Sequence, residues 1–454
     1  MDARLRGDDE GGIQRMTERT GLETAAAIRS GETTALAETE GAIARIEQRD
    51  GAINAVVVRD FDRARRAAAE IDQRREHGFD APLVGVPMTV KESYDVAGLP
   101  TTWGLEDHRT FTPTTDAVAV QRLKKAGAII LGKTNVPPSL ADLQSTNPIY
   151  GRTHHPHDPT LTPGGSSGGS AAALASGMVP IEIGSDIGGS IRVPSSFCGV
   201  WGHKPTYGAL SIEGQQMPET DGAPIAMSVI GPMARDPDDL ATMLDILADV
   251  PLPPADEIVP DRLRVLILTG HPVAPSSTAI RGGIDRVAQL LSDAGATVDR
   301  ESTLLPDLSV QFASYMRLLA VTLARGAPAE DGTQASLSDW LDMLDDAARN
   351  TRAWHRLFAT YDAVIAPCLG TQAYPHSDLP IRDRTITIDG EATPFGYQFA
   401  YPGLATYPGL PATAMPIGRA NGLPVGCQII TDRHQDHTAI AIARYAHGLM
   451  RNPS

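Results

Sequence analysis

Residues 163–170 read PGGSSGGS, and residues 184–192 read GSDIGGSIR. An apolar segment that suits a helix or a strand follows each cluster closely. Because glycine has no Cβ, such a backbone can turn sharply and bring its N–H groups close to a ligand. Several N–H groups aimed at one point form an oxyanion hole, and a serine at the end of such a turn is well placed as a nucleophile. The two clusters therefore indicate a serine hydrolase centre.

Three other interpretations of these clusters fit less well. A flexible Gly/Ser linker would not be followed so closely by apolar helix and strand. A phosphate cradle needs G-x-x-x-x-G-K-[ST] or a well-placed G-x-G-x-x-G, and the sequence has neither. Residues 165–169 match G-x-S-x-G, the nucleophile elbow that would make Ser167 the nucleophile. That elbow requires a preceding strand, whereas residues 154–163 (HHPHDPTLTP) are polar and carry three prolines.

Short apolar runs alternate with helical patterns along most of the chain. This alternation favours an α/β protein with a largely buried mixed sheet. The predicted strands cover residues 55–58, 84–90, 128–131, 179–183, 263–268, 363–367 and 425–430. The predicted helices cover residues 23–49, 60–77, 116–126, 171–176, 278–294, most of 308–358, and 434–450.

The Pro-rich stretch 251–260 (PLPPADEIVP) could separate two domains, but apolar strands on both of its sides could equally join one sheet. A chain of 454 residues is long enough for either arrangement. We expect a single domain over residues 1–454. Its parts are a helical N-terminal segment at about 20–80, a core at about 81–250, and C-terminal strands and helices at about 261–450.

The composition excludes several functional classes. The formal net charge is −16, whereas binding a phosphate backbone needs clustered Lys and Arg, so we expect no nucleic-acid partner. The three cysteines are far apart and predict neither a disulfide framework nor a zinc knuckle. The first residues lack the apolar region of a signal peptide, and no apolar run reaches about 18 residues, so we expect a cytoplasmic protein that does not span a membrane.

The second cluster continues as DIGGSIRVPSSFCGVWGHKPT over residues 186–206, and with the first it resembles the signature of the amidase signature family. Ser190 follows Ser166 by 24 residues, which is the spacing in that family. Further segments match in the family's order, from about residue 20 to 450: GVPMTVK at 85–91, GKTN at 132–135, GPMAR at 231–235, AP at 366–367, GLPA at 409–412 and GLPVG at 422–426. The resemblance implies a central mixed β-sheet covered by helices on both faces.

The resemblance also implies a catalytic triad. Ser190 would be the nucleophile, Ser166 a bridging serine whose preceding peptide bond is cis, and Lys91 the base. The backbone of four residues would form the oxyanion hole: Ile187, Gly188, Gly189 and Ser190. Four more residues would support the site: Gly165, Ser167, Asp186 and Arg192.

The chemistry of these residue types agrees with that triad. A serine hydroxyl must lose its proton to a positioned base, and lysine can act as that base only when it is neutral. Burial lowers the pKa of a lysine, and Val84, Val86 and Val90 predict an apolar strand around Lys91. Ser166 would relay the proton, an acyl-enzyme would form, and no metal or organic cofactor would be needed. Glu92 stands where many family members have Asp, which affects fine positioning rather than the triad.

The histidines at residues 154–158 (HHPHD) lie in a region where the family has a polar connecting loop, so we expect no metal site there. By resemblance, the substrate pocket takes its walls from residues 138–143, about 209–228 and 368–402. The pocket residues we predict are Leu140, Ala141, Asp142, Tyr397 and Phe399. The last segment is rich in aromatic residues, which favours an aromatic substrate, although core packing explains them equally well.

The predicted function is hydrolysis of acyl C–N bonds in small amides, anilides or aryl carbamates, and of esters, by a monomer or a homodimer. Two alternatives stay open. The chain could be the A subunit, a glutaminase, of a tRNA-dependent amidotransferase, which would require a partner subunit and tRNA. It could also be a non-catalytic binding protein that retained the fold.

Overall fold

The structure is a computed structural model that describes residues 19–220, 222–328 and 332–451. Its helices are α1 (Gly21–Ser30), α2 (Ala35–Arg49), α3 (Phe61–Glu76), α4 (Val118–Lys125), α5 (Gly168–Ala175), α6 (Arg192–Cys198), α7 (Pro237–Leu247), α8 (Thr278–Asp293), α9 (Leu308–Leu323), α10 (Leu337–Phe358), α11 (Ala400–Thr406) and α12 (Asp436–Arg451).

The strands form one large sheet and two small hairpins. They are β1 (Val56–Arg59), β2 (Pro87–Lys91), β3 (Ile129–Thr134), β4 (Thr146–Asn147), β5 (Gly151–Arg152), β6 (Ile181–Asp186), β7 (Trp201–Lys204), β8 (Val229–Ala234), β9 (Arg264–Ile267), β10 (Thr297–Asp299), β11 (Ala363–Pro367), β12 (Thr385–Ile388), β13 (Glu391–Pro394), β14 (Ala412–Ala420) and β15 (Leu423–Ile430).

The large sheet has eleven strands in the order β1-β3-β2-β6-β8-β7-β14-β15-β11-β9-β10. Strand β2 runs parallel to both β3 and β6, and β9 runs parallel to β10 and β11, whereas the other neighbours are antiparallel. The predicted α/β class with a mixed sheet flanked by helices is therefore confirmed. Strands before and after the Pro-rich stretch 251–260 belong to this one sheet.

The centre of the sheet is buried on both faces. Every residue of β2, β3, β6 and β8 is buried, as expected of central strands covered by helices. The core beneath the helices is mostly aliphatic, with Ala, Val, Ile and Leu from both halves of the chain. Because both faces of β2 and β6 are covered, polar side chains on these strands can reach a cavity only at the strand ends.

Several elements differ from the sequence predictions. The strand predicted at 84–90 begins at Pro87, because Gly85 adopts a φ of 73° and residues 83–86 form a turn. Strands β7, β8 and β14 and helix α7 were not predicted. Strand β7 is short and carries His203 and Lys204, and β8 contains a Gly and a Pro, so neither has the apolar pattern of a buried strand.

Helix α5 packs so closely against the end of β3 that only a glycine fits at the point of contact. A Cβ on Gly169 would lie 2.3 Å from the backbone N of Asn135. The glycine therefore lets the helix rest directly on the backbone that follows β3. This contact places the start of α5, and with it Ser166, beside the end of β2.

Among the described residues, no helix combines the length and the apolar character needed to cross a membrane.

Candidate active site

Lys91 is the last residue of β2 and is fully buried. Its Nζ lies 2.7 Å from Ser166 Oγ and 2.9 Å from Ser185 Oγ, and it donates hydrogen bonds to both. Ser185 is on β6, the neighbouring strand, so the amine bridges the end of the sheet and the loop that carries Ser166. Two of the three predicted triad residues are thus in direct contact.

Ser166 sits in the turn that leads into α5. The Gly165–Ser166 peptide bond is cis, as the resemblance implied. A Cβ on Gly165 would lie 2.3 Å from the carbonyl oxygen of Gln144, so only glycine fits at this position. The turn exposes Ser166 on one side to Lys91 and on the other to a cavity.

Ser190 lies in the loop between β6 and α6 and lines the same cavity as Ser166. Gly189 before it adopts a φ of 99°, a backbone conformation that favours glycine. The backbone N–H of Ser167 donates a hydrogen bond to the carbonyl of Ser190 at 3.1 Å, which ties the two Gly/Ser clusters together. The loop therefore presents the Ser190 hydroxyl to the space next to Ser166.

Asp186 organises this loop. Its carboxylate accepts hydrogen bonds from the backbone N–H groups of Gly189 at 2.9 Å and Ile191 at 3.0 Å. The N–H of Gly189 therefore points at Asp186, which removes one of the four predicted oxyanion-hole donors. The remaining backbone candidates are Ile187, Gly188 and Ser190.

Asp186 and Arg192 form a fully buried ion pair with a distance of 2.8 Å between Arg192 Nη2 and Asp186 Oδ1. Arg192 also donates to Gln428, Thr406 and the carbonyl of Pro402, so its charge is fully hydrogen-bonded. Burial by itself raises the pKa of Asp186, but the charge and hydrogen bonds of Arg192 outweigh it and lower that pKa to about 2. The pair therefore ties the loop that carries Ser190 to α11 and β15.

Burial is also the main influence on Lys91. Removing the ammonium from water lowers the pKa of Lys91 to about 7, although the charges of Asp186 and Glu182 act in the opposite direction. A large fraction of this lysine is then neutral near pH 7, and the amine can accept a proton. The geometry of the amine and its ionisation both suit a base that acts through Ser166.

The cavity at the two serines encloses about 240 Å³ and has a mostly apolar wall. Its lining residues are Trp103, Ser139, Leu140, Ala141, Asp142, Leu143, Ser166, Ser185, Asp186, Ile187, Gly188, Ser190, Ile225, Ser228, Met316, Leu319, Ala320, Leu323, Ile381 and Phe399. Asp142 accepts two hydrogen bonds from the guanidinium of Arg384, at 2.8 and 2.9 Å. Both carboxylates of the wall, those of Asp142 and Asp186, are therefore paired with arginines.

The predicted pocket residues are placed as follows. Leu140, Ala141, Asp142 and Phe399 line the cavity. Tyr397 was a wrong prediction, because it does not line this cavity: it is 47% exposed and packs edge-on against Phe312. Most of the other aromatic residues in segment 368–402 are in the core, where Tyr374 contacts Phe197 and Phe395, and Tyr401 donates to the carbonyl of Ala274.

Sequence reasoning missed one wall of the cavity and one polar contact. Met316, Leu319, Ala320 and Leu323 form one apolar face of α9, with the spacing of a helix that packs against a core. That spacing could have identified the face, but it does not distinguish a cavity wall from core packing. Ser185 stands inside the quoted cluster, yet only the structure places its hydroxyl on Lys91.

The sequence offered two competing sites, Ser167 as a nucleophile and the histidines at 154–158 as metal ligands, and neither has the geometry for that role. Ser167 is fully buried at the start of α5, and its hydroxyl hydrogen-bonds to the backbone of Ser185 at 3.4 Å instead of lining the cavity. His155 contacts the carbonyl of Phe197 at 2.9 Å, and His157 contacts Arg419 at 3.2 Å. In residues 19–220, 222–328 and 332–451, no three His, Cys, Asp or Glu side chains are grouped to hold a metal ion.

Comparison with known proteins gives a consistent result. A family profile described as Amidase matches residues 37–345 and 332–440. Putative amidase AmiB2 of Mycobacterium tuberculosis is 41% identical over 249 residues, a match that spans 52% of each chain and so about half the length of that relative. Fatty-acid amide hydrolase 2-A of Danio rerio is 32% identical over 95% of this chain and 89% of its own. A solved structure described as an amidase superposes with a TM-score of 0.81 at 26% identity, over 95% of this chain and 99% of the other.

Replacing Asp186 by Asn should leave Arg192 buried without its countercharge and lower the free energy of unfolding by about 3–5 kcal/mol. Since the pKa of Asp186 is depressed to about 2, its contribution to stability is present above about pH 4 and is lost as the pH falls towards 2. Urea unfolding at pH 7 and at pH 3 measures both effects. Asp285→Asn breaks an exposed pair with Arg300 and serves as the control, with a change within about 0.5 kcal/mol. Equal losses in both variants would contradict the prediction.

Proposed function

The chain belongs to the amidase family, and we propose that it hydrolyses the acyl C–N bond of small, uncharged, apolar amides with Ser190 as the nucleophile. The observation that carries this proposal is the hydrogen bond of 2.7 Å between the buried amine of Lys91 and Ser166, at the wall of the cavity that Ser190 also lines. A neutral lysine in contact with a relay serine can remove the proton that a serine nucleophile must lose.

The reaction proceeds in two stages. In the first, Ser190 Oγ attacks the carbonyl carbon, its proton passes to Ser166, and the proton of Ser166 passes to Lys91. Backbone N–H groups of the loop that includes Gly188 stabilise the negative charge on the tetrahedral intermediate. The proton then returns through Ser166 to the leaving nitrogen as the C–N bond breaks. In the second stage water takes the place of the amine, and the same relay activates it to release the acid.

The lining of the cavity suits an apolar and uncharged substrate. Its wall combines the aromatic rings of Trp103 and Phe399 with the aliphatic face of α9. The carboxylate of Asp142 is neutralised by Arg384, so it offers little attraction for a substrate cation. Anilides and other aryl or alkyl amides fit this description. Aryl carbamates present the same carbonyl between N and O, and we include them and the corresponding esters in the proposed range.

The two alternatives from the sequence receive less support. The glutaminase of an amidotransferase would bind the polar side chain of glutamine, for which an apolar wall is a poor match. A non-catalytic binding protein would have no need for a buried lysine whose pKa is about 7 in contact with a serine. We therefore favour a free-standing hydrolase.

Replacing Ser190 by Ala should lower the rate of hydrolysis of a neutral anilide by about 10⁴- to 10⁶-fold without unfolding the protein, because the only proposed attacking group is lost. Steady-state assays with circular dichroism of the same samples measure both quantities. Ser167→Ala tests the alternative nucleophile. Since that hydroxyl lies outside the cavity wall and supports the site only through the backbone of Ser185, this variant should lose far less activity than Ser190→Ala. The reverse ranking would transfer the role of nucleophile to Ser167.

If Lys91 is the base, activity should rise with pH through a midpoint near 7, because the reactive form is the neutral amine and burial lowers the pKa of Lys91 to about 7. Lys91→Ala should lose amide hydrolysis more completely than hydrolysis of an activated ester, whose leaving group needs no proton. Lys91→Arg should be as inactive on amides as Lys91→Ala, since a guanidinium stays protonated. A kcat/KM–pH profile of matched amide and ester substrates measures these effects, and an active Lys91→Arg enzyme would exclude the role.

The α9 face should control substrate polarity. Leu323 lines the cavity and is 47% exposed, so Leu323→Arg can keep the fold while it adds a positive charge to the wall. We expect kcat/KM for a neutral apolar anilide to fall by about tenfold or more, while the same anilide with a terminal carboxylate gains relative to it. Val310→Arg, on the same helix but outside the cavity wall, should change neither value. An unchanged preference in the Leu323 variant would mean that the substrate does not reach α9.

A further inference from the structure

Glu182 is a carboxylic acid that is fully buried in β6, at the centre of the sheet. Its Oε1 accepts a hydrogen bond from Thr134 Oγ1 at 2.9 Å, and its Oε2 accepts one from the backbone N–H of Ile183 at 2.7 Å. Within the described part of the chain, no Lys, Arg or His forms an ion pair with it. Because an unpaired buried carboxylate is costly, packing alone does not explain this residue.

The hydrogen bonds connect Glu182 to the elements that carry the proposed proton relay. Thr134 is the last residue of β3 and is the Cα partner of Lys91 across the β2–β3 pair. Thr134 Oγ1 also lies 2.9 Å from Ser170 Oγ in α5, the helix that begins directly after the turn carrying Ser166. One carboxylate therefore links β6, β3 and α5 at the point where they surround the end of β2.

The charge of Glu182 also reaches the relay. Burial lowers the pKa of Lys91, and the charges of Asp186 and then Glu182 oppose this effect. Asp186 is neutralised by its own ion pair with Arg192, whereas Glu182 has no such partner among the described residues. Burial, followed by the charge of Glu182, also raises the pKa of Tyr94, a second buried group three residues after Lys91.

Two opposing influences set the pKa of Glu182. Burial raises the pKa of Glu182 to about 7, while the nearby hydroxyls of Thr89, Thr134 and Ser170 and the backbone N–H of Ile183 oppose this rise. Of these groups, Thr134 and the Ile183 backbone donate hydrogen bonds to the carboxylate. Burial therefore shifts the pKa of this carboxyl upward and that of Lys91 downward, which are the directions expected of two buried groups. Interacting groups of this kind titrate as a pair.

We propose that Glu182 is a positioning residue for amide hydrolysis, which holds β3 and α5 against the relay and supplies the countercharge for Lys91 while that lysine is protonated. This inference rests on the proposed function. When Ser190 bonds to the carbonyl carbon, the relay leaves an ammonium on Lys91, and a nearby carboxylate lowers the free energy of that state. The proton then returns through Ser166 to the leaving nitrogen, so Glu182 ends the cycle unchanged.

The test is the pH dependence of kcat/KM for a neutral anilide in the full-length Glu182→Gln variant. Gln keeps the size of the side chain and removes its charge, so Lys91 becomes a weaker base. We expect the midpoint of the ascending limb to move to lower pH by about one unit, with a lower rate at the plateau. A purely structural role would lower the rate at every pH and leave the midpoint in place.

Glu92→Gln is the matched control. Glu92 is also fully buried, follows β2 directly, and accepts hydrogen bonds from Thr102 and Trp103. Its charge acts on Lys133 instead of Lys91, so this variant should keep the wild-type midpoint. A midpoint that moves equally in both variants, or in neither, would overturn the role of Glu182.

A second pair of variants covers the case in which Glu182→Gln does not fold. Thr134→Val removes the hydroxyl that favours the charged form of Glu182 and should move the midpoint in the same direction by a smaller amount. Thr134→Ser restores the hydroxyl and should restore the wild-type midpoint, and an unmoved midpoint in folded Thr134→Val would overturn the inference. Ser190→Ala in the same assay separates the two proposals, because wild-type activity in that variant would mean that the proposed function has failed.

Discussion

The structure depends on the burial of one amine at the end of a central strand. Lys91 has no contact with bulk water, and its hydrogen bonds go to Ser166 and Ser185. Loss of hydration makes the ammonium form costly and lowers the pKa of Lys91 to about 7. An exposed lysine at the same distance from Ser166 would stay protonated at neutral pH and could not serve as the base that we propose. The eleven-stranded sheet and its covering helices are what keep water away from this amine.

A second constraint is the close approach of backbones around the two serines. Gly165 and Gly169 touch the backbone at Gln144 and Asn135 at distances that exclude any Cβ. Asp186 then fixes the loop before Ser190 through backbone N–H groups and Arg192. Neither device acts on a substrate. Both hold the serine hydroxyls in place before a substrate arrives, so little ordering is left to the reaction itself.

The sequence allowed the chemical centre to be predicted better than its surroundings. Ser190, Ser166 and Lys91 lie in contiguous motifs whose spacing carries information. In the structure Ser190 and Ser166 line one cavity, and Lys91 donates a hydrogen bond to Ser166 from behind its wall. The mixed sheet was predicted from alternating apolar runs, but β7 and β8 were not predicted, because polar residues, Gly and Pro interrupt their apolar pattern. Tyr397 was assigned to the pocket because its segment lines the pocket in the family and is rich in aromatic residues, and neither fact says which way a side chain faces. Glu182 was invisible because a lone Glu in an apolar run has no pattern.

The residues of the proposed proton relay were easier to predict than those of the cavity wall, and the difference has a physical origin. The proposed relay lies at the ends of β2 and β6 and in the turn before α5, where close backbone contacts and the hydrogen bonds of Lys91 fix the positions of the side chains. The rest of the cavity wall comes mainly from α9, from residues 139–143 and 381, and from the rings of Trp103 and Phe399, and most of these side chains are apolar. Apolar contacts are non-directional, so many side chains satisfy them equally well. The proposed reaction is therefore constrained by the positions of a few side chains in this fold, whereas the proposed substrate is constrained by the volume and polarity of the cavity wall.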